Sequence, residues 1–140
     1  MKYKFLEHTA DIKFQAFGKT IEKAFENSAY ALQEVITEKI KIKPVIKKKI
    51  EVEGRDKEAL LYNFLEEFLF LLDSENFVLS KINKISIKEQ DNKEYKLIAE
   101  VIGDKARNYK FTNNVKAITY NEMFVKKEGK VYICQVVVDV

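Results

Sequence analysis

Residues 56–72 read Asp-Lys-Glu-Ala-Leu-Leu-Tyr-Asn-Phe-Leu-Glu-Glu-Phe-Leu-Phe-Leu-Leu. Asp56 is a helix-capping residue type, its side chain able to accept from the free N–H groups of a first turn. Glu58 adds negative charge at the same positive end. Behind them, Leu60, Leu61, Phe64, Leu65, Phe68, Leu69, Leu71 and Leu72 recur at three- and four-residue spacing. That spacing predicts a helix over about 56–73, with an apolar face wide enough to be covered on more than one side. Asn63, Glu66 and Glu67 interrupt the run, which is too short and too charged to span a bilayer. The helix is therefore expected to be the central packing element, and its flanks decide the fold.

Upstream, Tyr3 and Phe5, then Ile12, Phe14 and Ala16, alternate with polar residues, which predicts two short strands, the second closed by Gly18. Thr20 caps a second amphipathic helix over about 20–36, whose stripe runs from Ile21 and Phe25 through Leu32 to Ile36. Residues 40–53 alternate again, with Pro44 marking an edge position or a strand start. Downstream of Phe77 the pattern is all β, with turns at 90–93 and 127–130 and a last strand over 131–140. Gly18, Gly54, Gly103 and Gly129 all fall at expected boundaries. Grouped strands flanking two separated helices argue an α+β fold, with mostly antiparallel sheets. With no internal repeat or linker visible, 140 residues make a single domain over 1–140.

Composition narrows the chemistry. One Cys, Cys134, excludes an intrachain disulfide, and one His, His8, excludes zinc sites built on two or three histidines. The net charge of +3 does not by itself imply nucleic-acid binding. Of 25 cations only Arg55 and Arg107 are Arg, the residue type best suited to bidentate phosphate or base recognition. The many Lys and Glu read as a solvated shell. No apolar h-region follows Met1-Lys2-Tyr3-Lys4, so a cytoplasmic protein with no membrane segment is expected.

Several candidates have plainer explanations. Gly18-Lys19-Thr20 matches only the end of a phosphate-binding loop; the Gly required five positions earlier is Lys13, and a capped helix start explains the triplet. Cys134, in an apolar strand without a His or Cys partner, reads as a small buried hydrophobe. Lys47-Lys48-Lys49 alternates faces on a strand and lacks interleaved aromatics, so it reads as a blunted edge. Glu66 and Glu67 are neighbours on a helix and do not converge. His8 and Asp11 differ, because they bracket Thr9-Ala10 at a strand–strand junction. Asp139 lies one residue from the chain end, beside the carboxylate of Val140. If the last strand is central, Asp11, Asp139 and the terminal carboxylate cannot all stay ionised together without a cation. Hard oxygen ligands suit calcium, magnesium or manganese.

The sequence as a whole resembles the archease family. His8-Thr9-Ala10-Asp11-Ile12 is similar to its N-terminal signature, and Gly54-Arg55-Asp56 with the leucine pairs to the start of its second helix. Lys116-Ala117-Ile118-Thr119-Tyr120 is similar to its second signature, and Val138-Asp139-Val140 to its acidic ending. The resemblance implies an accessory factor, not itself an enzyme, for the RtcB-type RNA ligase of tRNA splicing. Such a factor promotes ligase guanylylation and repeated turnover and meets tRNA halves only indirectly. It further implies a divalent metal site at Asp11 and Asp139, with His8 and the Val140 carboxylate close by, and a functional Lys at Lys116. Many relatives carry His where this chain has Asn121, and often another within 105–114, where it has none. The alternatives are a divalent-metal phosphoester hydrolase and an RNA-binding module, the latter opposed by the scarcity of Arg.

Overall fold

The computed structural model describes residues 1–8 and 10–140. Thr9, the second residue of the first signature, lies outside the described residues. Strands β1 (Tyr3–Leu6) and β2 (Ile12–Gly18) precede helix α1 (Ile21–Thr37). Strand β3 (Ile46–Gly54) precedes helix α2 (Lys57–Glu75). Strands β4 (Phe77–Glu89), β5 (Tyr95–Lys105), β6 (Ala117–Glu128) and β7 (Val131–Asp139) complete the chain. They form a four-stranded sheet ordered β1-β2-β7-β6 and a three-stranded sheet ordered β3-β5-β4, with every pairing antiparallel. The chain is thus a single α+β domain of two antiparallel sheets and two helices.

Both helices touch both sheets and lie between them, which explains the wide apolar face of α2. Phe64 is fully buried, stacked on Phe25 of α1 at 6.1 Å and edge-on to Phe68 at 5.2 Å. Against this layer one sheet turns Phe14, Ala16, Cys134, Val136 and Val138, and the other Ile50, Leu97, Ala99 and Val101. Each strand therefore has one face toward the helices and one facing outward.

The two strand-to-helix joints are built alike. Thr20 Oγ1 accepts from Lys23 N–H at 3.1 Å, and Asp56 Oδ1 from Ala59 N–H at 2.7 Å, caps that contribute about 1 kcal/mol each. Two residues before each cap stands a Gly, because a Cβ at Gly18 or Gly54 would come within 2.4 Å of the helix backbone, at Ala24 N or Leu60 N. The triplet at Gly18 is a helix start, as expected. Helix α2 ends at Asn76, whose left-handed backbone (φ 54°) lets its N–H reach the Leu71 carbonyl.

Two strand expectations need correction. Residues 40–45 lie outside any strand. Pro44 has no N–H to donate, and ahead of it side chains hold the segment: Tyr109 Oη accepts from Lys43 N–H at 2.9 Å and Ser80 Oγ donates to the Ile42 carbonyl at 2.8 Å, before Val45 N–H meets the Gly103 carbonyl at 2.9 Å. Strand β6 begins at Ala117, not Val115, and its alternation breaks between Thr119 and Phe124, where the register with β7 shifts. Lys47 to Lys49 do alternate on an edge strand: Lys47 and Lys49 face outward, while half-buried Lys48 pairs with Glu75 at 2.6 Å.

Tyr109 also donates to Asp104 at 2.7 Å. That bond, with the Lys105 N–H, holds the Asp104 carboxyl below its ordinary range. A carboxyl so depressed stabilises the fold at neutral pH, and this is lost as pH falls through the folded-state value. Tyr109→Phe is expected to lower the melting temperature at pH 7 and to narrow the gap from wild type at about pH 3, below the ordinary carboxylate range. A gap that widens toward acid contradicts this reading.

Candidate functional site

Strand β7 is interior, with β2 on one side and β6 on the other. Its ladder with β2 ends at Ile12 opposite Val138, and its ladder with β6 begins at Ala117 opposite Asp139. Asp11 and Asp139 are the next residues out from the Ile12–Val138 pair, which brings both to one end of the sheet. Asp139 shares the outward face with Val137 and Gln135, as period two requires. Both aspartates are half-buried, and among the described residues neither forms an ion pair.

Lys116 is at the same end. Its N–H donates to the Asp139 carbonyl at 2.8 Å, tying the last turn of chain to β6, while its side chain is exposed. Val140 packs its side chain partly into the core, which holds the terminal carboxylate near Asp139. The structure thus gathers Asp11, Asp139, Val140 and Lys116 at one sheet end.

His8 lies in the connection between β1 and β2 and is differently engaged. Its Nε2–H donates to Glu122 Oε2 at 2.8 Å, and Lys13 Nζ donates to Glu122 Oε1 at 3.1 Å. These two bonds, His8 first, hold the Glu122 carboxyl below its ordinary range. The other ring nitrogen, Nδ1, is buried without a hydrogen-bond partner among the described residues. It is the atom of His8 left for a cation.

Glu122 and Lys13 are site residues that sequence reasoning missed. Glu122 sits in the β6 bulge at φ 54°, and its carbonyl accepts from Gln135 Nε2 at 2.8 Å. Gln135 Oε1 in turn accepts from Gln15 Nε2 at 2.9 Å. The second signature shapes this bulge: Thr119 Oγ1 donates to the Val137 carbonyl at 2.8 Å, and Tyr120 stacks on Tyr62 of α2 at 4.3 Å and 7°. The bulge helps cover the outward face of β7, where Val137 is fully buried. Two polar residues, Asn121-Glu122, inside an alternating segment were the available signal.

The donor set suits a hard cation. Asp11, Asp139 and the terminal carboxylate offer oxygens whose mutual repulsion a divalent ion offsets. Among the described residues no three His, Cys, Asp or Glu side chains form a metal-holding group. Elsewhere, burial pushes the Cys134 thiol up to about 12, in keeping with a structural thiol. Burial, with the charges of Glu66 and Glu75, raises the Glu67 carboxyl. Among the described residues no helix is long and apolar enough to cross a membrane.

These features define a small two-sheet α+β protein with two aspartates at one end of its four-stranded sheet. The model of the Archease protein family matches residues 3–140, and the chain belongs to that family. It is 38% identical to the protein archease of Methanosarcina barkeri, over 99% of this chain and 96% of the relative. It is 41% identical to that of Pyrococcus furiosus, over 96% and 95%. Among solved structures, the solution structure of Methanobacterium thermoautotrophicum protein 1598 superposes with a TM-score of 0.83 at 31% identity, covering 99% of both chains. A Thermotoga maritima crystal structure, described as an archease and possible chaperone, gives 0.61 at 25% identity, over 98% of this chain and 96% of that one.

Proposed function

We propose that this chain is a metal-binding accessory factor of an RtcB-type RNA ligase, promoting ligase guanylylation and multiple turnover in tRNA splicing. The observation that carries the reading is the convergence of Asp11, Asp139, the Val140 carboxylate and Lys116 at one exposed sheet end. Asp11, Asp139 and the terminal carboxylate would hold a calcium, magnesium or manganese ion, with His8 Nδ1 as a nitrogen donor. When bound, such a cation supplies concentrated positive charge at that end. Lys13 and His8 engage the Glu122 carboxylate. Lys116 offers a point charge to a phosphate or to an acidic surface of the ligase.

Metal-assisted hydrolysis calls for an open, water-activating site, and a paired acid with a chain terminus is a sparse set for it. Incubated alone with RNA or phosphoester substrates and divalent metal, the protein is expected to show no turnover; metal-dependent turnover without ligase would establish the hydrolase instead. A tag fused after Val140 converts its carboxylate to an amide. It should therefore impair ligase stimulation, whereas a tag before Met1 should not. Equal stimulation by the two proteins would show that the terminus is incidental.

A further inference from the structure

The outward face of the three-stranded sheet is on the far side of the helices from the aspartate site. Exposed Lys47 and Lys49 of β3 lie along one edge, exposed Lys81, Lys84 and Lys88 of β4 along the other, with half-buried Lys96 on β5 between them. The acids on this face are Glu51, Glu53, Glu100 and, buried at its far end and held by Tyr109, Asp104. Glu51 is engaged by Lys49 and Lys96, each at 3.5 Å. Glu100 accepts from Asn83 Nδ2 at 3.0 Å, and its carboxyl is held low by that bond and then by the charges of Lys47 and Lys84. Among the described residues Lys47, Lys81, Lys84 and Lys88 form no ion pair. With Lys49, whose charge is shared with Glu51, they form two cationic rows about 10 Å apart, two strand spacings, on either side of β5. Between the rows is a shallow concavity of about 470 Å3, lined by Lys47, Lys49, Lys84, Ser86, Ile98 and Glu100.

We propose that this face binds the phosphate backbone of double-helical RNA. A protein partner is disfavoured by composition, because protein interfaces deplete Lys and centre on aromatic or Arg anchors, and the exposed apolar side chains here are only aliphatic, Ile98 and, just ahead of β3, Val45. Single-stranded RNA is disfavoured because the face has no aromatic ring on which a base could stack. Lysines in rows, with no fork for bidentate base recognition, suit a repeating phosphate surface read by shape. Scarcity of Arg argues against sequence-specific recognition, but it does not argue against backbone binding. The face points away from the aspartate end, so both can be occupied at once.

The test uses the full chain without ligase, which makes its outcome independent of the ligase proposal. Binding of a short fluorescein-labelled RNA duplex is followed by anisotropy from about 50 to about 200 mM salt. Four backbone contacts predict a fall in affinity of roughly a hundredfold across that range. Lys47→Gln/Lys84→Gln/Lys88→Gln should flatten the log–log salt slope by about 3, and each single substitution by about 1. The control triple Lys19→Gln/Lys110→Gln/Lys130→Gln, with the same charge change elsewhere, should leave the slope near wild type. Equal loss in both triples, or none in the first, overturns the proposal. So does tighter binding of the matching single strand. Poly-glutamate binding more tightly than the duplex would assign the face to an acidic protein and overturn it too.

Discussion

Asp139→Asn is expected to remove stimulation of the RNA ligase while leaving the fold intact. The substitution keeps the shape of the side chain and removes only its charge. The main-chain bond from Lys116 N–H to the residue 139 carbonyl survives, as does the Ile12–Val138 register beside it. Asp11→Asn should behave alike, because the proposed site has the two acids share one ion. Calorimetric metal affinity should fall at least about 10–100-fold in each, since even outer-shell changes have effects of that size. Ligase stimulation unchanged in either variant would remove that residue from the site.

Phe64→Ala should lower unfolding free energy by about 3–5 kcal/mol. The ring is fully buried at the meeting of both helices, against Phe25 and Phe68. The sheets above and below are anchored to the same helix layer, so little can collapse into the space. Domains of this kind are stable by about 5–15 kcal/mol, so the loss is a large fraction of the total. Urea titration followed by circular dichroism measures it. A loss under about 1 kcal/mol would contradict the placement of the core between the sheets.

The parts of the fold legible in sequence were those with local physical causes. Thr20 and Asp56 announce helix starts because a capping oxygen is a local device, and the breadth of the α2 stripe carries the fact that two sheets cover it. The unexpected parts were set at a distance. Residues 40–45 alternate like a strand, yet Pro44 and the hydroxyl of Tyr109, 66 positions beyond Lys43, take them out of the ladder. The bulge between Thr119 and Phe124 depends on Val137, Gln135 and Tyr62, none of which is near in sequence.

The site divides along the same line. Asp11 and Asp139 stood out in sequence as scarce acids beside a strand junction and a chain end, and the interior position of β7 brings their backbones to one end of the sheet. His8 was read as a companion of the aspartates, whereas its Nε2 is taken by Glu122, 114 residues away. That pairing arises only once the bulge folds back over β7. The basic sheet face was also hidden, because a run of lysines on a strand reveals its partners only when β4 is laid beside β5.

The decisive measurement is turnover of an RtcB-type ligase on paired RNA ends, with GTP and divalent metal, in the presence and absence of this protein. A limited burst without it and sustained turnover with it, along with a rise in guanylylated ligase, is the expected result. Identical time courses and identical guanylylation with and without the protein would contradict its assignment as an accessory factor.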